Sequence, residues 1–161
     1  MHTATLALAQ ELHPRRIRVL TSRIQLHLIG EGPKVEDKET AHLVARAYME
    51  GHLSMCVENF VVLLLDARGR CFRVEHVARG TMTACIIHPR EVFLMAVREM
   101  AVSIIVCHNH PSGDPSPSSE DESLTRRLHA AGETLGIPVL DHIVLGANNT
   151  YRCIGVDGTV E

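Results

Sequence analysis

Residues 102–121 read VSIIVCHNHPSGDPSPSSED, and three unlike textures follow one another inside this single stretch. Val102–Cys107 is a short apolar run, too apolar to be solvated on either face, and reads as a buried strand. Pro111, Gly113, Pro115 and Pro117 alternate with Ser and Asp. That composition resists helix and ladder alike and shapes a stiff, sharply turning loop. A helix starts at Ser118 or Ser119, where Ser119 and Glu122 match a capping box. Strand, loop and helix start are thus laid end to end.

Working outward, VENFVVLLLDARGR (57–70) reads as another buried strand closed by a turn signal. CFRVEHVARG (71–80) is expected to pair with it as a hairpin, with Phe72, Val74, His76 and Ala78 on one face. TMTACIIH (81–88) reads as a further short strand. One helix is expected from Asp37 to about Gly51, with Val44, Ala47, Tyr48 and Gly51 along its stripe. A second opens at Pro89, with Val92, Phe93, Ala96, Val97 and Met100 as its apolar face. The helix after the Pro/Ser loop carries Leu124, Leu128, Ala131 and Leu135, and Gly136 with Pro138 stops it. DHIVLG (141–146) and TYRCIG (150–155) close the chain as strands. This order predicts an α/β or α+β sandwich, a mixed β-sheet flanked by helices on both faces. Residues 1–34 read as an N-terminal appendage with one helix from about Pro14, and residues 35–161 as the main domain.

With 161 residues the chain suits one domain with a real core. Three Phe, two Tyr and no Trp leave that core to Leu, Ile, Val, Ala and Met. A net charge of -3 opposes a general nucleic-acid coat. The exception is HPRRIRVLTSR (13–23), whose arginines suit a basic arm or, more simply, a solvated amphipathic segment. Five cysteines, an odd number without a C-x-x-C pair, oppose a disulfide framework and a cysteine-based zinc knuckle. They fit a reducing cytoplasm. MHTATLALAQ (1–10) lacks a charged start, and no apolar window reaches the length of a membrane span. A cytoplasmic protein without membrane contact is expected.

His108 and His110 lie at the strand end, and alternation points i and i+2 to the same side. The stiff loop then delivers Asp121 in the first turn of a helix, where the positive dipole end favours a carboxylate. Taken alone, the stretch is either a polar surface turn or three ligands converging on a metal. His, His and carboxylate with a fourth position open is what a catalytic zinc requires. Such an ion lowers the pKa of its water to about 7.

The spacing His108, His110, Ser118, Asp121 resembles the JAMM motif of JAB/MPN metalloproteases. The flanks RGT, HPREVF, LTRRL and AGETLGIPVLDHIVLG are similar to the RadC family, and the resemblance runs from about Val35 to Gly155. It implies a fold like that of cytidine deaminases, zinc on His108, His110 and Asp121, and a water activated by an upstream glutamate, here Glu58. Glu58 would take the proton of the water and pass it to a leaving amine. Ser118 would donate to the developing oxyanion, or serve as helix N-cap, or both. The implied activity is zinc-dependent hydrolysis of a peptide or isopeptide bond in a peptide or protein substrate. The alternative is a DNA-associated or DNA-repair accessory protein. RadC-like proteins often begin with a helix-hairpin-helix region, for which residues 1–34 are too short. The H-x-E and P-C-x-x-C pattern of nucleoside deaminases and the HExxH of helical zinc proteases are absent.

Around the motif, His142 and Asp141 are candidates to hold the second nitrogen of a bound imidazole, with a structural role favoured for both. His88 and Arg90 read as a solvated helix start, His76 and Glu75 as strand residues, and Asp114 as a turn-former. Cys107 reads as a small buried residue.

Overall fold

The structure, a computed structural model, describes residues 32–80, 87–155 and 160. The expected appendage lies outside the described residues except for 32–34, and the strand expected over 81–88 does so except for Ile87 and His88. Those two residues lead into a helix. Gly32–Glu161 forms a compact unit of its own. Its elements in chain order are α1 (Lys38–His52), β1 (Asn59–Leu65), β2 (Cys71–Arg79), α2 (Pro89–Arg98), β3 (Ser103–Asn109), α3 (Ser119–Leu135), β4 (Val139–Leu145) and β5 (Tyr151–Ile154).

The strands form one sheet in the order β2-β1-β3-β4-β5. Only β3 and β4 run parallel, joined through α3, and the other pairings are antiparallel. The sheet is therefore mixed, as expected. β1 and β3 sit at its middle and are buried along their whole length, which is why both read as unbroken apolar runs.

One face of the sheet offers Phe60, Val62, Leu64, Ile104 and Val106 to α2 and α3, which answer with Val92, Phe93, Ala96 and Leu128. The opposite face offers Val61, Leu63, Leu65, Ile105, Cys107 and Ile143 to Ala41, Ala45 and Met49 of α1. Each such aliphatic side chain contributes about 1.5–3 kcal/mol by leaving water. Two helices on one side and one on the other complete the α+β sandwich.

Several expected faces are corrected. α1 buries Ala41, His42, Ala45, Arg46 and Met49, whereas Ala47 and Gly51 are exposed. In α2 the buried set is Val92, Phe93, Met95 and Ala96. Val97 is 53% exposed and Met100 85%, the latter past the helix end with φ of 55°. In α3 the inward residues are Thr125, Leu128, His129 and Gly132, and Leu135 turns outward. The expected shared face of β2 is also broken. Register shifts leave Phe72 and Val77 as extra residues opposite β1. Phe72 and Ala78 consequently face α2 and α3 while Val74 faces α1.

Candidate metal centre

β3 runs through His108 and Asn109, two residues further than the apolar run suggested. His108 is 1% exposed at the strand end, and His110 follows where the chain leaves the sheet. The backbone N–H of His110 still donates to Leu145 O of β4 at 2.9 Å, so the second imidazole is held almost as firmly as the first. The loop then turns at Gly113, whose φ of +84° suits glycine. Gly113 O accepts from Ala147 N at 2.8 Å, which ties the loop to the β4–β5 turn. Gly146 allows that approach, because a Cβ there would lie 2.6 Å from Gly113 O and 2.8 Å from Pro115 Cδ.

The helix opens with Ser118 as N-cap, correcting the expected capping box of Ser119 and Glu122. Asp121 N donates to Ser118 Oγ at 3.2 Å, while Ser118 N and Oγ donate to Asp121 Oδ2 at 2.8 and 2.7 Å. This reciprocal pair fixes the rotamer of Asp121 and turns Oδ1 toward His108.

His108, His110 and Asp121 come together with their ligand atoms within 4.8 Å of one another. Nε2 of His108 lies 3.0 Å from Nε2 of His110 and 3.3 Å from Asp121 Oδ1. Nε2 of His110 lies 3.5 Å from Asp121 Oδ2. Ligands bound tetrahedrally at about 2.0–2.2 Å stand roughly 3.3–3.6 Å apart. Each distance lies within a few tenths of an ångström of such an edge, although the two histidines face different oxygens of the carboxylate. Both imidazoles have their Nδ1 engaged elsewhere: on Asp114 O at 2.8 Å for His110, and on His142 Nε2 at 2.9 Å for His108. Each Nε2 is thereby turned inward, as metal-binding histidines require. The donor set of two imidazoles and a carboxylate fits a divalent ion of the zinc type.

The electrostatics agree with this donor set. Burial pushes the Asp121 carboxyl up, but the His108 and His110 imidazoles beside it and the Ser118 hydroxyl outweigh that and hold it well below the usual carboxylate range. The hydrogen bond to Asp121 raises the His110 imidazole, against an opposing effect of burial, with help from Asp114 and the charge of Glu58. Burial drives His142 well below the ordinary imidazole value, so that ring is neutral.

Glu58 sits immediately before β1, half-buried. Phe60 pairs with His108 in the antiparallel β1–β3 ladder, so continuing the register sets Glu58 opposite His110. Alternation puts Glu58 on the same side of the sheet as Phe60, and hence as His108, whose ring stacks on Phe60 with an interplanar angle of 10°. Asn109, between the two histidines, points the other way and secures the approach to Glu58. Its Oδ1 accepts from Asn59 N at 2.9 Å, and its Nδ2 donates to Met55 O and Val57 O at 3.3 and 3.0 Å.

Asn109, Thr125 and Arg46 were not singled out by the sequence. Thr125, one helical turn after Asp121, stands 2.6 Å from His142 Nδ1. Arg46 donates to Gly146 O at 2.8 Å and Thr150 O at 3.1 Å, pinning the turn that carries the metal loop. Of the other candidates, His142 is buried against His108 rather than being a core residue alone. Asp141 accepts from His142 N at 2.9 Å. His88 caps α2 by accepting from Arg90 N, and Glu75 pairs with Arg73. Asp114 accepts from Ser116 N in a local turn. Burial pushes the Cys107 thiol well up, which makes it inert.

A mixed sheet with two histidines at the end of a central strand and an aspartate on the next helix defines the class of JAB-type domains with a group able to hold a metal. The RadC-like JAB domain profile matches residues 36–155, and the chain belongs to that family. It is 55% identical over 95 residues to a UPF0758 protein of Symbiobacterium thermophilum, covering 59% of this chain and 40% of that one. Against a UPF0758 protein of Trichlorobacter lovleyi the identity is 57% over 89 residues, 55% of this chain and 39% of the relative. A UPF0758 protein of Clostridium kluyveri is 39% identical over 127 residues, 79% of this chain and 54% of its own length. The chain thus spans about two fifths to one half of the curated relatives it matches. Among the described residues no helix is long and apolar enough to cross a membrane.

Proposed function

We propose that the chain is a zinc-dependent hydrolase that cleaves a peptide or isopeptide bond in a peptide or protein substrate. One observation carries this reading: two inward Nε2 atoms and a carboxylate converge, with their ligand atoms within 4.8 Å of one another. His108, His110 and Asp121 would hold the ion, leaving a fourth position open. Zinc supplies Lewis acidity, polarising an amide carbonyl and acidifying a water. The work of the chain is proton handling and orientation. Glu58, opposite His110 in register, takes a proton from the attacking water and delivers it to the leaving amine. Ser118 holds Asp121 in place by donating its one hydroxyl hydrogen to Oδ2, and it would act on the developing oxyanion only by turning that hydrogen away from Oδ2.

The test pairs metal analysis with hydrolysis of C-terminally tagged peptides and isopeptide-linked conjugates. Wild type is expected to carry about one zinc per chain, the open three-ligand site of a catalytic centre. His110→Ala is expected to lose the metal. Glu58→Gln should keep it and lose about 10²–10⁴-fold in rate, the usual worth of a general base. A wild-type protein that stays metal-free after zinc reconstitution sinks the reading.

A further inference from the structure

Thr125 and His142 form a chain of contacts that begins and ends at metal-site residues. Thr125 Oγ1 is 2.7 Å from the backbone carbonyl of Asp121 and 2.6 Å from His142 Nδ1. His142 Nε2 is in turn 2.9 Å from His108 Nδ1. Thr125 and His142 are both fully buried.

A contact between two imidazole rings is ambiguous by itself. Either ring can be the donor, and the two directions leave opposite tautomers on the ring that faces the metal. One direction leaves a lone pair on His108 Nε2. The other places a hydrogen there and blocks coordination. The threonine resolves the ambiguity. A carbonyl oxygen only accepts, so the single hydroxyl hydrogen of Thr125 goes to Asp121 O. His142 Nδ1 must then bring its own hydrogen to Thr125 Oγ1. With Nδ1 protonated and the ring neutral, His142 Nε2 has only a lone pair to offer, and His108 must donate from Nδ1. The lone pair of His108 is left on Nε2, whose hydrogen-bond partner is His110 Nε2 at 3.0 Å. Reversing the order would set the hydroxyl and carbonyl oxygens at 2.7 Å with no hydrogen between them, in a site too buried for water to relieve the contact.

We propose that Thr125 and His142 are positioning residues that set the tautomer of His108 from the backbone carbonyl of Asp121, keeping the inward nitrogen free for metal. The proposal rests on the metal-site reading above and adds what prepares that site. It also gives the buried Thr125 hydroxyl a role on a face it shares with Leu128, His129 and Gly132.

The experiment is long-range nitrogen–proton NMR on the metal-free full chain, well above the ordinary imidazole pKa of about 6.5, together with zinc titration against a competing chelator. In wild type, His108 is expected to carry its hydrogen on Nδ1 and His142 likewise. Thr125→Val, which removes the hydroxyl and keeps the shape, should mix or invert these tautomers and weaken zinc binding about 10–100-fold, the range for lost partners of metal ligands. Thr125→Ser should restore both. A hydrogen on His108 Nε2 in wild type overturns the proposal without any variant, so it stays testable even if Thr125→Val fails to fold. A folded Thr125→Val with wild-type tautomers and wild-type zinc affinity overturns it as well. Failure of wild type to take up zinc while His108 shows the expected tautomer sinks the hydrolase reading and leaves the ordering intact.

Discussion

At the scale of single residues, Asp121 divides its carboxylate between two tasks: Oδ2 accepts from Ser118, and Oδ1 faces His108. Ser118→Ala therefore removes a helix cap and frees Asp121 in one step. It is expected to cost about 1 kcal/mol in urea unfolding and to weaken zinc binding about tenfold, read by chelator competition. A zinc affinity unchanged from wild type would show that Asp121 needs no such restraint. His108, His110, Ser118 and Asp121 were legible because they lie within one short stretch, where strand alternation and a helix start dictate direction. His142 was a candidate by residue type alone, and Thr125 and Asn109 carried no comparable signal. Their partners are separated from them by 34, 17 and 50 residues in the chain, and local periodicity says nothing about such pairings. The only local hint was Thr125 standing one turn beyond Asp121.

At the scale of elements, the order and type of helices and strands followed from apolar runs, caps and breakers, and the faces did so less well. The buried side of α1 is turned from the apolar stripe because it includes His42 and Arg46, which polarity alone sends to solvent. Arg46 Nε donates to His42 Nε2 at 3.1 Å, and the guanidinium caps the carbonyls of the β4–β5 turn, so burial of Arg46 is compensated and one nitrogen of His42 is satisfied. The bulges at Phe72 and Val77 defeat simple alternation in β2 for a different reason, since an extra residue leaves no mark in composition. The turn pinned by Arg46 in turn backs the metal loop. Gly146→Ala should push that loop away at Gly113 O and Pro115, costing about 1–3 kcal/mol of stability as an overpacking change. Thermal unfolding measures the loss, and an unshifted midpoint would refute the close packing.

At the scale of the whole molecule, histidine burial sets the response to acid. Burial lowers the pKa of His42, His129 and His142, so the unfolded chain binds protons that the fold refuses. Stability is therefore lost as pH falls below the unfolded value of about 6.5, by at most about 1.4 kcal/mol per pH unit for each group. His110 works in the opposite sense. Its raised pKa contributes stability that is fully present below the unfolded value and lost as pH rises through the folded one. Three groups against one predict that the zinc-free chain has a lower urea midpoint at about pH 5.5 than at about pH 7.5. Equal midpoints would contradict the burial of these rings. The anchoring contacts described above also have a temporal meaning. Arg46 meets Gly146 across 100 residues, and Asn59 meets Asn109 across 50. Contacts so distant in sequence close only after loop entropy has been overcome, and they form slowly compared with helices. The turn behind His110 and the approach to Glu58 are consequently secured late, after the helices that flank them have formed.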